Sequence, residues 1–172
     1  MSERQGTPAG DQARVSVTVA VPPALAFRVF TEEIDLWWRR GLKYRVARGT
    51  DGILHLEPHV GGRLFESYAT AAGARVVESG RVTAWEPPAR LVFDWRAVNF
   101  APDERTEVEV RFEPSSGGTL VTVTHRGWSQ IRKDHPARHG QETAAFVRML
   151  GLWWGELMTA LRQHVARGGS GG

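Results

Sequence analysis

The stretch from Gly61 to Ala97 constrains the fold most. It reads as three antiparallel strands, Arg63–Ala69, Arg75–Trp85 and Arg90–Ala97, joined at Ala72-Gly73 and Pro87-Pro88. The same strands carry aromatic side chains, alternating apolar positions and one acidic residue, Glu66. A sheet with that load must curve around an apolar interior. The pattern extends both ways, with strands at Lys43–Ala47, Ile53–Glu57, Glu107–Glu113 and Leu120–Trp128. Asp51-Gly52, Gly61-Gly62, Pro102-Asp103 and Ser116-Gly117-Gly118 supply the remaining turn signals. A run of neighbouring strands on short connections predicts an antiparallel meander.

The flanks are of a different kind. Arg14–Val21 alternates, with Val15, Val17, Val19 and Val21 on one face. Pro22-Pro23 stops that strand and starts a helix over Ala24–Thr31, whose Phe27 and Phe30 share a face. A second short helix over Glu32–Trp38 opens on acids that suit its N-terminus and ends at Gly41. A long helix over Gln141–Ala166 closes the chain. Its Phe146, Leu150, Trp153, Leu157, Leu161 and Val165 recur at three- and four-residue spacing, and Met149, Trp154 and Met158 widen the stripe. Such a helix must lie against the sheet, which predicts an α+β layer arrangement. Residues 13–166 read as a single domain, 1–12 as a disordered start and 167–172 as a flexible Gly/Ser tail.

Composition excludes several classes. Cysteine is absent, which removes disulfides and thiolate metal sites. The net charge is +3, yet the basic residues, all Arg except Lys43 and Lys133, are scattered. A nucleic-acid reader would show a basic stripe, so no nucleic-acid partner is expected. No apolar run is long enough for a transmembrane helix, and Met1–Asp11 has no signal-peptide core. A cytoplasmic protein with no membrane partner is the expectation.

The order of elements resembles the helix-grip fold of the START and birch-pollen-allergen superfamily (SRPBCC). Within it the chain is similar to the branch named after the activator of the heat-shock protein 90 ATPase. The carriers are Pro23–Phe30, Trp37-Trp38, Glu57-Pro58, Gly61-Gly62-Arg63 with Glu66, Gly80 with Trp85-Glu86-Pro87-Pro88, Arg90–Trp95, Thr106–Val110 and His125–Trp128. They span about residues 13 to 166. The branch usually has proline after its paired tryptophans, where Arg39 stands here. The resemblance implies a curved antiparallel sheet of six to seven strands wrapped around the long C-terminal helix, with two short helices after the first strand. It implies an apolar or aromatic small molecule held between sheet and helix. Some relatives are cyclases or hydrolases, and the eukaryotic members assist a chaperone, so a chaperone partner is implied by the resemblance alone.

Strand alternation orders the candidate site residues. Val108, Val110 and Phe112 face inward, as do Val121, Val123 and His125. Leu64 and Glu66 share a face, which Phe65 on the opposite side leaves open as inner or outer. An inward Glu66 and His125 would offer an apolar chamber one acid–base pair. The alternative is a structural pair that satisfies its own hydrogen bonds, which buried polar groups usually do. Trp38, Trp95, Trp128, Phe146 and Trp153 either line a ligand chamber or belong to an ordinary core, with Leu64, Val110, Val123, Met149 and Leu157 beside them. His135 and His139 have a spacing of four residues, but Pro136 and a missing third ligand argue for a loop. His55 and His59 have no acidic cluster around them, and no metal or cofactor is expected.

Overall fold

The structure, a computed structural model, describes residues 12–41, 43–45, 52–96, 104–128 and 143–168. Strand β1 (Gln12–Val19) is followed by helices α1 (Pro23–Glu32) and α2 (Ile34–Trp37). Six strands follow: β2 (Ile53–Leu56), β3 (Arg63–Thr70), β4 (Gly73–Glu86), β5 (Arg90–Trp95), β6 (Thr106–Ser115) and β7 (Gly118–Arg126). Helix α3 (Thr143–Ala166) ends the described chain. The strands form one antiparallel sheet in the order β1-β7-β6-β5-β4-β3-β2. The meander therefore runs from β2 to β7, and β1 closes on its far side.

Sequence chemistry explains the connections. Pro22 and Pro23 end β1 and open α1, where the carbonyl of Pro22 accepts the Ala26 N–H at 2.9 Å. The β6–β7 hairpin turns on Ser116-Gly117 and enters β7 at Gly118 with φ near +132°. A side chain at Gly118 would strike the carbonyl of Val19, so glycine serves both the turn and the close approach of β1. The sheet bends at register shifts between Leu64 and Phe65 and between Val82 and Ala84. At Gly80, beside the first of these, a Cβ would collide with the carbonyl of Asp94.

The concave face carries Leu54, Leu64, Val82, Leu91, Phe93, Val108, Val110, Phe112, Val121 and Val123, all buried. Helix α3 packs alongside β1 and α2, and α1 covers β6 and β7. On the convex face the charged residues cross-link strands. Glu109 accepts Arg90 at 2.6 Å and Arg126 at 3.0 Å and pairs with Arg111 at 2.9 Å, while Arg126 also reaches Glu107 at 3.1 Å. Burial pushes the Glu109 carboxyl up, but these guanidiniums outweigh it and hold the group below its ordinary range.

Four expectations are corrected. The described part of the expected Lys43–Ala47 strand is a turn: Tyr44 and Arg45 both donate their N–H groups to the carbonyl of Gly41. Its last two residues lie outside the described residues, as do the Pro102-Asp103 turn and His135–His139. Gln12, read as part of a disordered start, already belongs to β1. Arg167 and Gly168, read as tail, cap α3: their N–H groups reach Gln163 and Val165, with Gly168 at φ near +94°. Finally, the buried stripe of α3 is Phe146, Leu150, Trp154, Leu157, Met158, Leu161 and Val165. Trp153 stands at its border and is half-buried.

Candidate functional site

The inner phases of the sheet bring the aromatic residues into one connected set. All seven tryptophans belong to it. Trp85 meets Phe27 at a centroid distance of 5.1 Å, and Phe27, Phe112, Phe30, Trp37 and Trp38 follow at 4.9–5.6 Å. Trp38 then touches three indoles: Trp95 at 6.3 Å, Trp153 at 6.0 Å and Trp154 at 5.7 Å. His125 continues the set to Trp128 at 5.2 Å, and Trp128 reaches Phe146 at 4.6 Å. Most of these contacts are edge-on or tilted, which suits the ring quadrupoles.

His125 sits at the junction, 1% exposed. The Trp154 indole N–H lies 3.0 Å from its Nδ1. An indole can only donate, so Nδ1 is the lone-pair nitrogen and the ring proton resides on Nε2. Nε2 then donates to the Thr106 hydroxyl at 2.7 Å, and Thr106 donates to the carbonyl of Trp95 at 3.3 Å. Burial, helped by the charge of Arg126, pushes the His125 pKa down to about 3. The ring is thus neutral near pH 7, with both nitrogens engaged. It ties α3 to β7, β6 and β5, and it has neither a free lone pair nor an idle proton for acid–base work.

Glu66 is 2% exposed and shares the concave face with Leu64, opposite Leu54 and Val77 in register. The ambiguity over β3 resolves as inner for Leu64 and Glu66. Phe65 faces outward, stacked on His55 at 4.6 Å, with the Arg63 guanidinium 4.3 Å above its ring. The direct Glu66–His125 hydrogen bond is not formed, because Thr106 and Trp154 occupy the imidazole nitrogens.

The other sequence candidates divide by exposure. Trp38, Leu64, Val110, Val123, Trp128, Phe146 and Leu157 are buried. Trp95, Met149 and Trp153 are only half-buried, as are Leu56 and Tyr68 further along the concave face.

Over the half-buried indoles runs the turn after α2. The Trp38 N–H donates to the Tyr44 carbonyl at 3.2 Å, and the Trp153 N–H to the Lys43 carbonyl at 2.9 Å. Tyr44 stacks on Trp153 at 5.7 Å and donates its hydroxyl to Glu156, which also takes Lys43 at 2.9 Å. Those donors hold Glu156 below the usual carboxylate range. Arg45, buried, anchors the turn: it donates to Asp35 Oδ1 at 2.6 Å and to the carbonyls of Trp38, Asp35 and Arg39 at 2.7–3.2 Å. Burial pushes the Asp35 carboxyl up, but the Leu54 N–H and Arg45 together bring it below its ordinary value. Asp35, Tyr44, Arg45, Thr106, Trp154 and Glu156 were not among the sequence candidates. The shared strand phase of Thr106 and Val108 and the four-residue spacing of Trp154 from Leu150 were the available signals.

Among the described residues no three His, Cys, Asp or Glu side chains converge on a metal position. His55 bonds Ser67 at 3.0 Å, and His59 lies against the carbonyl of Val60. No helix of the described residues is long and apolar enough to cross a membrane.

The profile of the family described as "Activator of Hsp90 ATPase homolog 1-like protein" matches residues 20–151, from the end of β1 into α3. The chain belongs to this family. Solved structures share the fold of this chain. Protein MLL2253 from Mesorhizobium loti is 21% identical with a TM-score of 0.60, covering 91% of this chain and 97% of its own. Protein NE0264 from Nitrosomonas europaea is 16% identical with a TM-score of 0.62, covering 95% and 99%. DynU16, a protein of the dynemicin biosynthetic locus, is 19% identical with a TM-score of 0.61, covering 92% of this chain and 48% of its own. At these identities the likeness is one of fold. No curated protein matches the sequence.

Proposed function

We propose that this protein binds a small apolar or aromatic molecule between the concave face of the sheet and α3. The observation that carries the reading is the gradient of burial along the aromatic set. Trp38, Trp154 and His125 are sealed, while the adjoining Trp95, Trp153 and Met149 are half-buried. Aromatic side chains left half-covered on an inward face are suited to a flat apolar ligand, with Glu66 as a polar contact deeper in.

The alternative of a cyclase or hydrolase using Glu66 and His125 is less well supported, because both His125 nitrogens are held by Thr106 and Trp154. A chaperone-binding role would have to draw on exposed apolar residues such as Ile53 and Val76, which flank Ser67 on the convex face. Leu36, Val60 and Leu152 are also exposed, but the sheet register brings together Ile53 and Val76, and that pair falls far short of the roughly 1,000 Å² that a specific protein interface buries.

Native mass spectrometry of protein from its own host, with titration of lipophilic dyes followed by Trp quenching, tests the reading. Saturable binding weakened by Trp153→Ala, with the thermal transition retained, is expected. Absence of saturable binding across aromatic and aliphatic probes would overturn it.

A further inference from the structure

Arg39 follows the paired tryptophans directly and is exposed. Its carbonyl accepts Arg45 at 3.2 Å, while the side chain points over Tyr44. Its guanidinium lies 5.4 Å from the centre of the Tyr44 ring. The Lys43 ammonium lies 5.5 Å from the same ring, and Trp153 stacks on it. One aromatic platform therefore joins two cations to the half-buried indoles of Trp153 and Trp95.

The neighbouring charges do not cancel this field. Glu156 is the carboxylate at this rim; it is engaged by Tyr44 and Lys43, and Arg39 lies within its field without a direct bond to it. Asp35 is engaged by Arg40 and Arg45. Four cations, Arg39, Arg40, Lys43 and Arg45, thus stand against two carboxylates, Asp35 and Glu156, among the described residues, and the two cations over the Tyr44 ring, Arg39 and Lys43, are both exposed. A guanidinium beside an apolar wall is a fitting receptor for a planar acid, because it offers a fork of N–H groups to a carboxylate.

We infer that the rim at Arg39 and Lys43 selects ligands carrying an anionic group, a carboxylate, on an aromatic body. The aromatic body would stack along Trp95 and Trp153 and the acid would meet Arg39. This inference rests on the chamber reading above and adds the chemistry of the ligand's polar end.

The test compares 2-naphthoate with 2-naphthamide, which has nearly the same shape without the charge, by isothermal titration calorimetry at low and high salt. The acid should bind about tenfold more tightly than the amide at low salt, a difference of about 1.4 kcal/mol. Screening should shrink the preference at high salt. Arg39→Gln should abolish most of it while leaving amide affinity and the thermal midpoint unchanged. Arg162→Gln, which removes an exposed charge near the far end of α3, should keep it. Equal binding of acid and amide, a preference that survives Arg39→Gln, or an equal loss in Arg162→Gln would overturn the inference and leave the chamber standing. Binding of neither probe would overturn both.

Discussion

Lowering the pH from 7 to 5 should remove about 2 kcal/mol of folding stability through His125 alone. In the folded protein the ring stays neutral because burial and Arg126 push its pKa down to about 3. In the unfolded chain it titrates near its ordinary value of about 6.5. Between those values the unfolded chain takes up a proton that the folded protein refuses. The stability held in the neutral ring is therefore complete above the unfolded value and drains away as the pH falls toward 3. At pH 5 the medium is about 1.5 units below the unfolded value, and each unit is worth about 1.4 kcal/mol, which gives the 2 kcal/mol. The carboxylates held low, Asp35, Glu57, Glu109 and Glu156, contribute stability that is lost below their ordinary values of 3.8 and 4.5, outside this window. Urea unfolding of the protein and of His125→Gln at pH 7, 6 and 5 isolates the effect. The variant should start lower at pH 7 by about 1–3 kcal/mol, the cost of disturbing two buried hydrogen bonds. Its stability should then fall by about 2 kcal/mol less between pH 7 and 5. Parallel curves, or a His125 imidazole resonance that titrates near pH 6.5 in the folded protein, would refute the sealed environment assigned to it.

Arg45→Met should cost about 3 kcal/mol in chemical denaturation, the lower end for breaking a buried ion pair, because Asp35 remains partly solvated and keeps Arg40. A loss below about 1 kcal/mol would show that Arg45 does not brace the turn. Gly80→Ala should destabilise by about 1–3 kcal/mol, since the new Cβ meets the backbone carbonyl of Asp94. Gly151→Ala, in open space within α3, should instead stabilise by about 0.5–1 kcal/mol, and the opposite order of the two midpoints would contradict the packing.

The strand meander was legible because its physics is local. Val108, Val110 and Phe112 alternate with Glu107, Glu109 and Arg111, and only one of those sets belongs in an apolar interior. Turn glycines at 61, 73 and 118 adopt positive φ at the expected breaks. The expected strand at Lys43 failed for a reason no local pattern holds. Its residues are fixed by distant partners, Arg45 by Asp35 and Tyr44 by Glu156, so tertiary contacts override a short β-like string.

The site was legible to the face but not to the partner. Strand period pointed His125 inward and left Glu66 open between the two faces; both side chains are buried. Period two says nothing about what stands across the layer, and the residues that reach His125 come from elsewhere: Trp154 from the helix and Thr106 from the adjacent strand. The adjacent tryptophans of α3 show the limit. An α-helix turns about 100° per residue, so Trp153 and Trp154 cannot both centre on one seam. The spacing from Leu150 admits either, at three or four residues. The choice falls to hydrogen bonding. Trp154 has a buried acceptor waiting in His125 Nδ1, whereas Trp153 finds its acceptor at the rim, in the carbonyl of Lys43. An indole N–H left without a partner in the core costs about 1–3 kcal/mol, enough to set the rotation of the helix about its axis. That rotation leaves Trp153 half-covered beside Tyr44, and so places an aromatic surface where a ligand could use it.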